Sequence, residues 1–211
     1  MSESKRDEPA VAVGAVATET ANRPLRADAV KNRQRLLEAA EDVFATDGVQ
    51  AQVDLIAERA GLGVGTLYRH FPTKESLIEA IIRARLEALS DRAAAFAADP
   101  DRGGAFFSFL HEFALQAAAK RDLFESLGAA GVNIKANCAD TYEVLQERIG
   151  TLLRLAQAEG SVRADIGAED VIGLVAGTCQ TVSGPGRNSE WISRMMDVVC
   201  DGLQRHSTSA P

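Results

Sequence analysis

Three glycines and one proline punctuate residues 52–78, and this punctuation constrains the chain's fold more than any other feature of its 211 residues. A helix expected over 53–60 buries Leu55, Ile56 and Ala60 and stops at Gly61. Gly61 and Gly63 then allow backbone conformations that a side chain would resist. A second short helix, 64–70, turns Leu67 and Phe71 inward and leaves Thr66, Arg69 and His70 outward. Pro72 blocks its extension, while Thr73 caps the following helix and Glu75 suits its dipole. Two short helices joined by a tight turn form the unit that lays its second helix in the DNA major groove. With Thr66, Tyr68, Arg69, His70 and Lys74 in it, the stretch is too polar to be ordinary core.

The rest of the chain keeps the helical period. Residues 1–26 carry no sustained amphipathic pattern and read as a disordered arm. Asp28 suits the N-cap of a helix over 29–46, whose Leu36, Leu37, Ala40, Val43 and Phe44 share one face, and Gly48 suits the left-handed residue after it. A long helix over 74–97 repeats Leu77, Ile78, Ile81, Ile82, Leu86 and Leu89 until Asp99-Pro100-Asp101 breaks it. Further helices are expected over 103–119, 121–129, 136–158 (ended by Gly160), 168–182 and 189–204, the last two joined through Ser183-Gly184-Pro185-Gly186, with a loose tail from His206. No strand-like alternation persists for six residues. The expectation is an all-α chain with a three-helix helix-turn-helix domain at 27–73 and a helical body at 74–205, the long helix serving as a strut.

Composition narrows the function classes. At 46% hydrophobic the chain can bury a sizeable core, and no apolar run reaches the length of a membrane span. The first 26 residues lack the apolar block of a signal peptide. Cys138, Cys179 and Cys200 are odd in number and widely spaced, which suits buried thiols in a reducing cytoplasm rather than a disulfide framework or zinc site. His70, His111 and His206 are too scattered for a metal cage, and no nucleophile–base or paired-carboxylate cluster appears, so neither a metal nor another cofactor nor an enzyme is expected. The glycine run is no nucleotide-binding loop, since a helix precedes it and it lacks the P-loop lysine. A net charge of −7 argues against a generic nucleic-acid binder. Its distribution softens that objection: Arg23, Arg26, Lys31, Arg33 and Arg35 face only Asp28 within 13 residues, whereas residues 81–211 hold 13 basic against 17 acidic side chains.

Groove recognition needs a rigid short helix that reaches base edges, with phosphate contacts around it. Gly63 and Gly65 keep the helix start slim. Thr66 suits a thymine methyl or a base edge, Tyr68 and His70 suit phosphates, and Arg69 suits guanine or phosphate. Lys74 opposes the dipole of its own helix, which an external phosphate would explain. The alternative is that these polar side chains only solvate a small bundle, with Tyr68 as half-buried packing.

The residues Leu36-Leu37-Glu38-Ala39-Ala40, Val43-Phe44, Gly48, Ile56-Ala57-Glu58-Arg59-Ala60-Gly61 and the block Gly65–Leu77 together resemble the TetR family of ligand-responsive transcriptional repressors. The similarity covers about 50 residues, the block from Gly65 being highly specific. It implies a nine-helix homodimer in which the second and third helices read a pseudo-palindromic double-stranded DNA operator and the body, 74–205, binds a small-molecule ligand and dimerises. The implied DNA contacts are Gly63, Val64, Thr66, Tyr68, Arg69, His70 and Lys74. Gln52 departs from the pattern, because relatives often carry Ser or Thr there as helix cap and phosphate contact. The expected function is a repressor released by an inducer; the alternatives are a constitutive DNA-binding regulator and a helical small-molecule carrier.

For the body, the period alone reads the apolar stripes as plain core; the resemblance makes Phe106, Leu110 and Phe113, then Phe124, then Cys138 candidates to line a pocket, with Tyr142 and His111 as polar groups to orient a ligand, the alternative for His111 being a surface residue. Dimerisation is expected through Gly173, Ala176 and Gly177, whose small size lets another helix approach, and through Trp191, Met195 and Val199 on the last helix; the alternative is that both helices only complete the subunit's own core. A two-fold pair would set its half-sites about 34–36 Å apart.

Overall fold

The computed structural model describes residues 17–120, 123, 127–180 and 188–205. Nine helices run through them: α1 (Ala17–Asp47), α2 (Val53–Arg59), α3 (Val64–His70), α4 (Lys74–Ala97), α5 (Arg102–Ala119), α6 (Ile134–Asn137), α7 (Ala139–Glu159), α8 (Ala168–Gln180) and α9 (Ser189–Leu203). Only an isolated antiparallel bridge, Val162 with Gln204, departs from the all-α pattern among the described residues. Phe124, the 183–186 linker and the tail from His206 lie outside them, as does most of the helix expected over 121–129.

Local chemistry sets most helix ends. Gly48 follows α1 with φ 78° and Gly160 caps α7 with φ 85°, the left-handed conformation that glycine adopts without steric penalty. Thr73 and Ser76 form a reciprocal capping box at the start of α4. Asp101 accepts from the Gly104 amide at 2.8 Å to open α5, and Asn188 accepts from that of Trp191 at 3.1 Å to open α9. Two boundaries differ from expectation. α1 begins at Ala17, so Asp28 lies inside the helix rather than capping it, and residues 17–26, read as arm, are helical. Alanines favour that extension, while Pro24 removes one intrahelical hydrogen bond. The helix expected over 136–158 is two, since Asn133 caps a four-residue turn that ends before Cys138.

Two apolar cores result. The first joins Leu36, Leu37, Val43 and Phe44 of α1, Ile56 of α2, Leu67 of α3 and Leu77, Ile78, Ile81 and Ile82 of α4. It also takes in Leu123, Leu127 and Cys138, from the segment ahead of α7. The second packs Ala93 of α4 with Phe106, Phe109 and Leu110 of α5, Leu145, Ile149 and Leu152 of α7, and residues of α8 and α9. Leu86 packs against both. Thus α4, about 36 Å long, is the strut between head and body. The head's core runs along it past residue 73, as far as Ile82.

Charged clamps fix that strut. Arg85 holds the largely buried Glu41 of α1 through two nitrogens, and Lys120 approaches the same carboxylate at 3.5 Å. Arg83 bonds Asp140 at 2.7 Å and Thr141 at 2.5 Å, tying α4 to the start of α7. The bonds to Asp140 and Glu79 push the Arg83 guanidinium above its ordinary range, and the bond to Arg83 holds the Asp140 carboxyl below its own. Arg83 and Asp140 are solvated, so this second clamp contributes geometry more than stability.

Candidate nucleic-acid interface

The reader is built from the turn outward. After α2, the Gly61 amide bonds the Glu58 carbonyl and the Leu62 amide bonds that of Ala57, both at 2.9 Å. Gly61 sits at φ +64°, where an L side chain is strained. Arg35, reaching across from α1, donates to the Ala60 carbonyl at 2.6 Å and secures the turn. Gly63 departs from the expectation of an unusual backbone: its φ of −74° and ψ of 146° are ordinary extended values for an N-cap. A Cβ added to Gly63 or Gly65 would meet nothing within 4 Å. The fold itself leaves room for side chains there, so packing within the chain does not require glycine at either position.

Helix α3 is anchored by Leu67, 1% exposed, with Phe71 just beyond it at 2%. Gly63, Gly65, Tyr68 and Arg69 are exposed, and Val64, Thr66 and His70 are half-buried. Tyr68 exposes 48% of its surface, so it is not sealed packing. Lys74 is placed differently from expectation. Its ammonium donates to the Ala51 carbonyl at 2.8 Å and lies 5.8 Å from the Phe44 ring, so an internal partner accounts for its position against the dipole. An ammonium has three protons, so this bond does not exhaust it. Tyr68 and Lys74 line an open groove of about 380 Å³ with Gln50, Ala51, Gln52, Val53 and Asp54. Gln52 makes no side-chain cap on α2, in keeping with its departure from Ser or Thr.

Residues 100–205 match the family model described as "Transcriptional regulator SbtR-like, C-terminal domain", and residues 36–81 match "Bacterial regulatory proteins, tetR family". The chain belongs to the TetR family. The crystal structure of the TetR transcription regulatory protein from Mycobacterium vanbaalenii is 35% identical in sequence and has a TM-score of 0.68; the match covers 86% of this chain and 99% of that one. TetR regulator SCO0520 from Streptomyces coelicolor is 33% identical, with a TM-score of 0.67 and coverage of 83% and 99%. The HTH-type transcriptional regulator UidR of Escherichia coli K12 is 29% identical over 150 residues, which is 67% of this chain and 74% of that protein. TetR-family transcriptional regulators are DNA-binding regulators, and this chain is one of them.

The body of this TetR-family chain does not bring all the expected pocket residues together. Phe106 and Leu110 are fully buried in the second core with Phe113 packed against it, whereas Cys138 is buried in the first. His111 meets Asp197 of α9 at 3.3 Å, a tie between helices rather than a group aimed at the α5 stripe. Tyr142 is half-buried near the start of α7. Burial pushes the thiols of Cys138 and Cys179 up, and that of Cys200 to about 11 with Asp197 and Asp201 adding to the effect. All three are neutral thiols at neutral pH.

Sequence periodicity gave no sign of Ser90, a buried α4 residue whose Oγ has no hydrogen-bond partner among the described residues. On α8, Gly173, Ala176 and Gly177 are exposed, and a Cβ on either glycine would meet nothing within 4 Å. Exposed Leu174 and, on α9, Val198 at 66% exposure add apolar surface there, while Trp191, Met195 and Val199 are half-buried. Among the described residues, no cluster of His, Cys, Asp and Glu is arranged to hold a metal, and no helix is long and apolar enough to cross a membrane.

Proposed function

We propose that this TetR-family regulator is a homodimeric repressor whose affinity for a pseudo-palindromic operator falls when a small molecule enters its body. The observation that carries the reading is a recognition helix held by two buried side chains, its polar face outward, beside a strut whose two ends belong to different cores. A displacement in the second core moves α4 as a rigid rod and changes where α3 points. The inducer acts by population shift, favouring body conformations that hold the two heads at the wrong separation.

In this reading Thr66 and Arg69 touch base edges, Tyr68, His70 and Lys74 touch phosphates, and Gly63 and Val64 lie against the DNA backbone. Phe106, Leu110 and Phe113 line the inducer site. Ser90 supplies a polar contact, since a buried hydroxyl without a partner is costly until something bonds it. The exposed small residues of α8 and the apolar side of α9 support a two-fold helix pair between subunits.

The test uses a duplex selected from a random-sequence pool by the full-length protein. Compounds that raise its thermal midpoint are then added to the complex. Loss of DNA affinity with at least one of them supports the switch. Unchanged affinity with every stabilising compound removes the switch and leaves a constitutive regulator.

A further inference from the structure

The recognition helix is only weakly secured by its own residues. α3 has seven residues, no side-chain cap at Gly63, no acid in its first turn and, within the helix, a single buried side chain, Leu67. A helix of that length is marginal by itself, so its direction is set from outside. α1 supplies two cations that do so. Arg33 continues the stripe of Leu37, Ala40 and Phe44 by one turn past the head's core. There its guanidinium lies 5.1 Å from the ring of Phe71, the residue that closes α3. Arg35, on the flank of that stripe, donates to the Ala60 carbonyl at 2.6 Å, just ahead of α3. A Cβ on Gly61 would stand 2.9 Å from the same guanidinium, so the missing side chain opens the way for Arg35. Neither arginine enters an ion pair among the described residues.

The two contacts bracket α3, one at the turn before it and one at the residue after it. Both are directional: a short charge-assisted bond to a carbonyl, and a cation laid against an aromatic ring. We propose that Arg33 and Arg35 are positioning residues for sequence reading. They brace α3 from α1 and set the angle at which Thr66 and Arg69 meet base edges, without touching the DNA themselves. The proposal rests on α3 being the helix that reads the groove. Without either brace α3 tilts about Leu67, the side chain that still anchors it. Base contacts suffer first, because a base edge demands fixed donor and acceptor geometry, whereas phosphate contacts are sequence-independent and survive a small displacement.

The test measures fluorescence anisotropy of full-length protein on the pool-selected duplex and on a scrambled one, each across a salt series. Arg33→Met and Arg35→Met keep an unbranched stem and remove the cation. Each is expected to lower the ratio of affinities, selected over scrambled, by at least about tenfold. The slope of log K against log salt on the scrambled duplex stays that of wild type. A phosphate contact predicts the reverse: a slope flattened by about 1.8, one arginine in each of two subunits at ~0.9 per phosphate, with the ratio unchanged. That result overturns the proposal. A lowered thermal midpoint with ratio and slope both intact assigns the arginines to stability alone and overturns it too. Circular dichroism checks that each variant is folded at the assay temperature. Should Arg35→Met not fold, Arg35→Lys takes its place, since lysine lacks the planar fork; a smaller fall in the ratio is expected, and no fall overturns the brace. Wild-type protein that binds both duplexes equally refutes the reading of α3 itself, an outcome separable from these because it needs no variant.

Discussion

Gly65→Ala separates folding from DNA binding within one methyl group. Gly65 is the second residue of α3, it is exposed, and an added Cβ meets nothing within 4 Å. Replacing a helical glycine with alanine under those conditions reduces the unfolded chain's freedom without a clash, a gain of roughly 0.5–1 kcal/mol. Gly61→Ala is the opposite control. It forces a side chain into the left-handed region at φ +64° and sets its Cβ 2.9 Å from the Arg35 guanidinium that bonds Ala60. The left-handed conformation alone costs about 1–2 kcal/mol, and displacing the charged hydrogen bond adds to it. Urea unfolding followed by circular dichroism should therefore move the midpoint up for Gly65→Ala and down for Gly61→Ala. Anisotropy on the pool-selected duplex should show Gly65→Ala binding at least tenfold more weakly, a loss of ~1.4 kcal/mol, despite its greater stability. A Gly65→Ala protein that unfolds earlier would refute the open space. One that binds DNA as wild type does would refute the close backbone approach.

Tyr68→Phe should weaken binding to selected and scrambled duplexes alike, while Thr66→Ala and Arg69→Ala shift the sequences recovered from a random pool; equal effects of all three everywhere would reverse the base and phosphate roles. Lys74→Ala should lower both DNA affinity and the thermal midpoint, because it breaks the bond to Ala51 as well as a phosphate contact. Ser90→Ala should stabilise the ligand-free protein by about 1–2 kcal/mol, as an unpaired buried hydroxyl is removed, and weaken the response to the inducer; a destabilised variant in thermal melts would show that Oγ has a partner. Burial raises the Cys200 thiol from its ordinary 9.0 to about 11, so the unfolded chain ionises first and the stabilising contribution, complete below pH 9, disappears as pH rises through about 11. Melts across that window should fall more steeply for wild type than for Cys200→Ala, and parallel curves would exclude this thiol as the cause.

The helix-turn-helix was legible because its signals are local. Gly61 ends α2, Gly63 opens α3, Pro72 stops it and Thr73 caps α4 with its own neighbour Ser76, all within a few residues. Periodicity likewise assigned Leu36, Leu67, Leu77 and Phe106 to buried faces, and they are buried. The length of α1 was missed because alanine-rich helix without an apolar stripe carries propensity but no pattern.

A period shows which face is buried but not against what. Lys74 turning to a carbonyl 23 residues away, Cys138 joining the head's core while Phe106 joins the body's, and His111 meeting Asp197 all depend on contacts between distant parts of the chain. The amino-acid order by itself settled the helical class, the turn and the face of α3 that looks outward, since each is written in neighbouring residues. Packing alone decided that one strut would serve two cores and that Glu41 of α1 would meet Arg85 and Lys120. Such choices compare the free energies of whole arrangements, and no short window of residues contains that comparison.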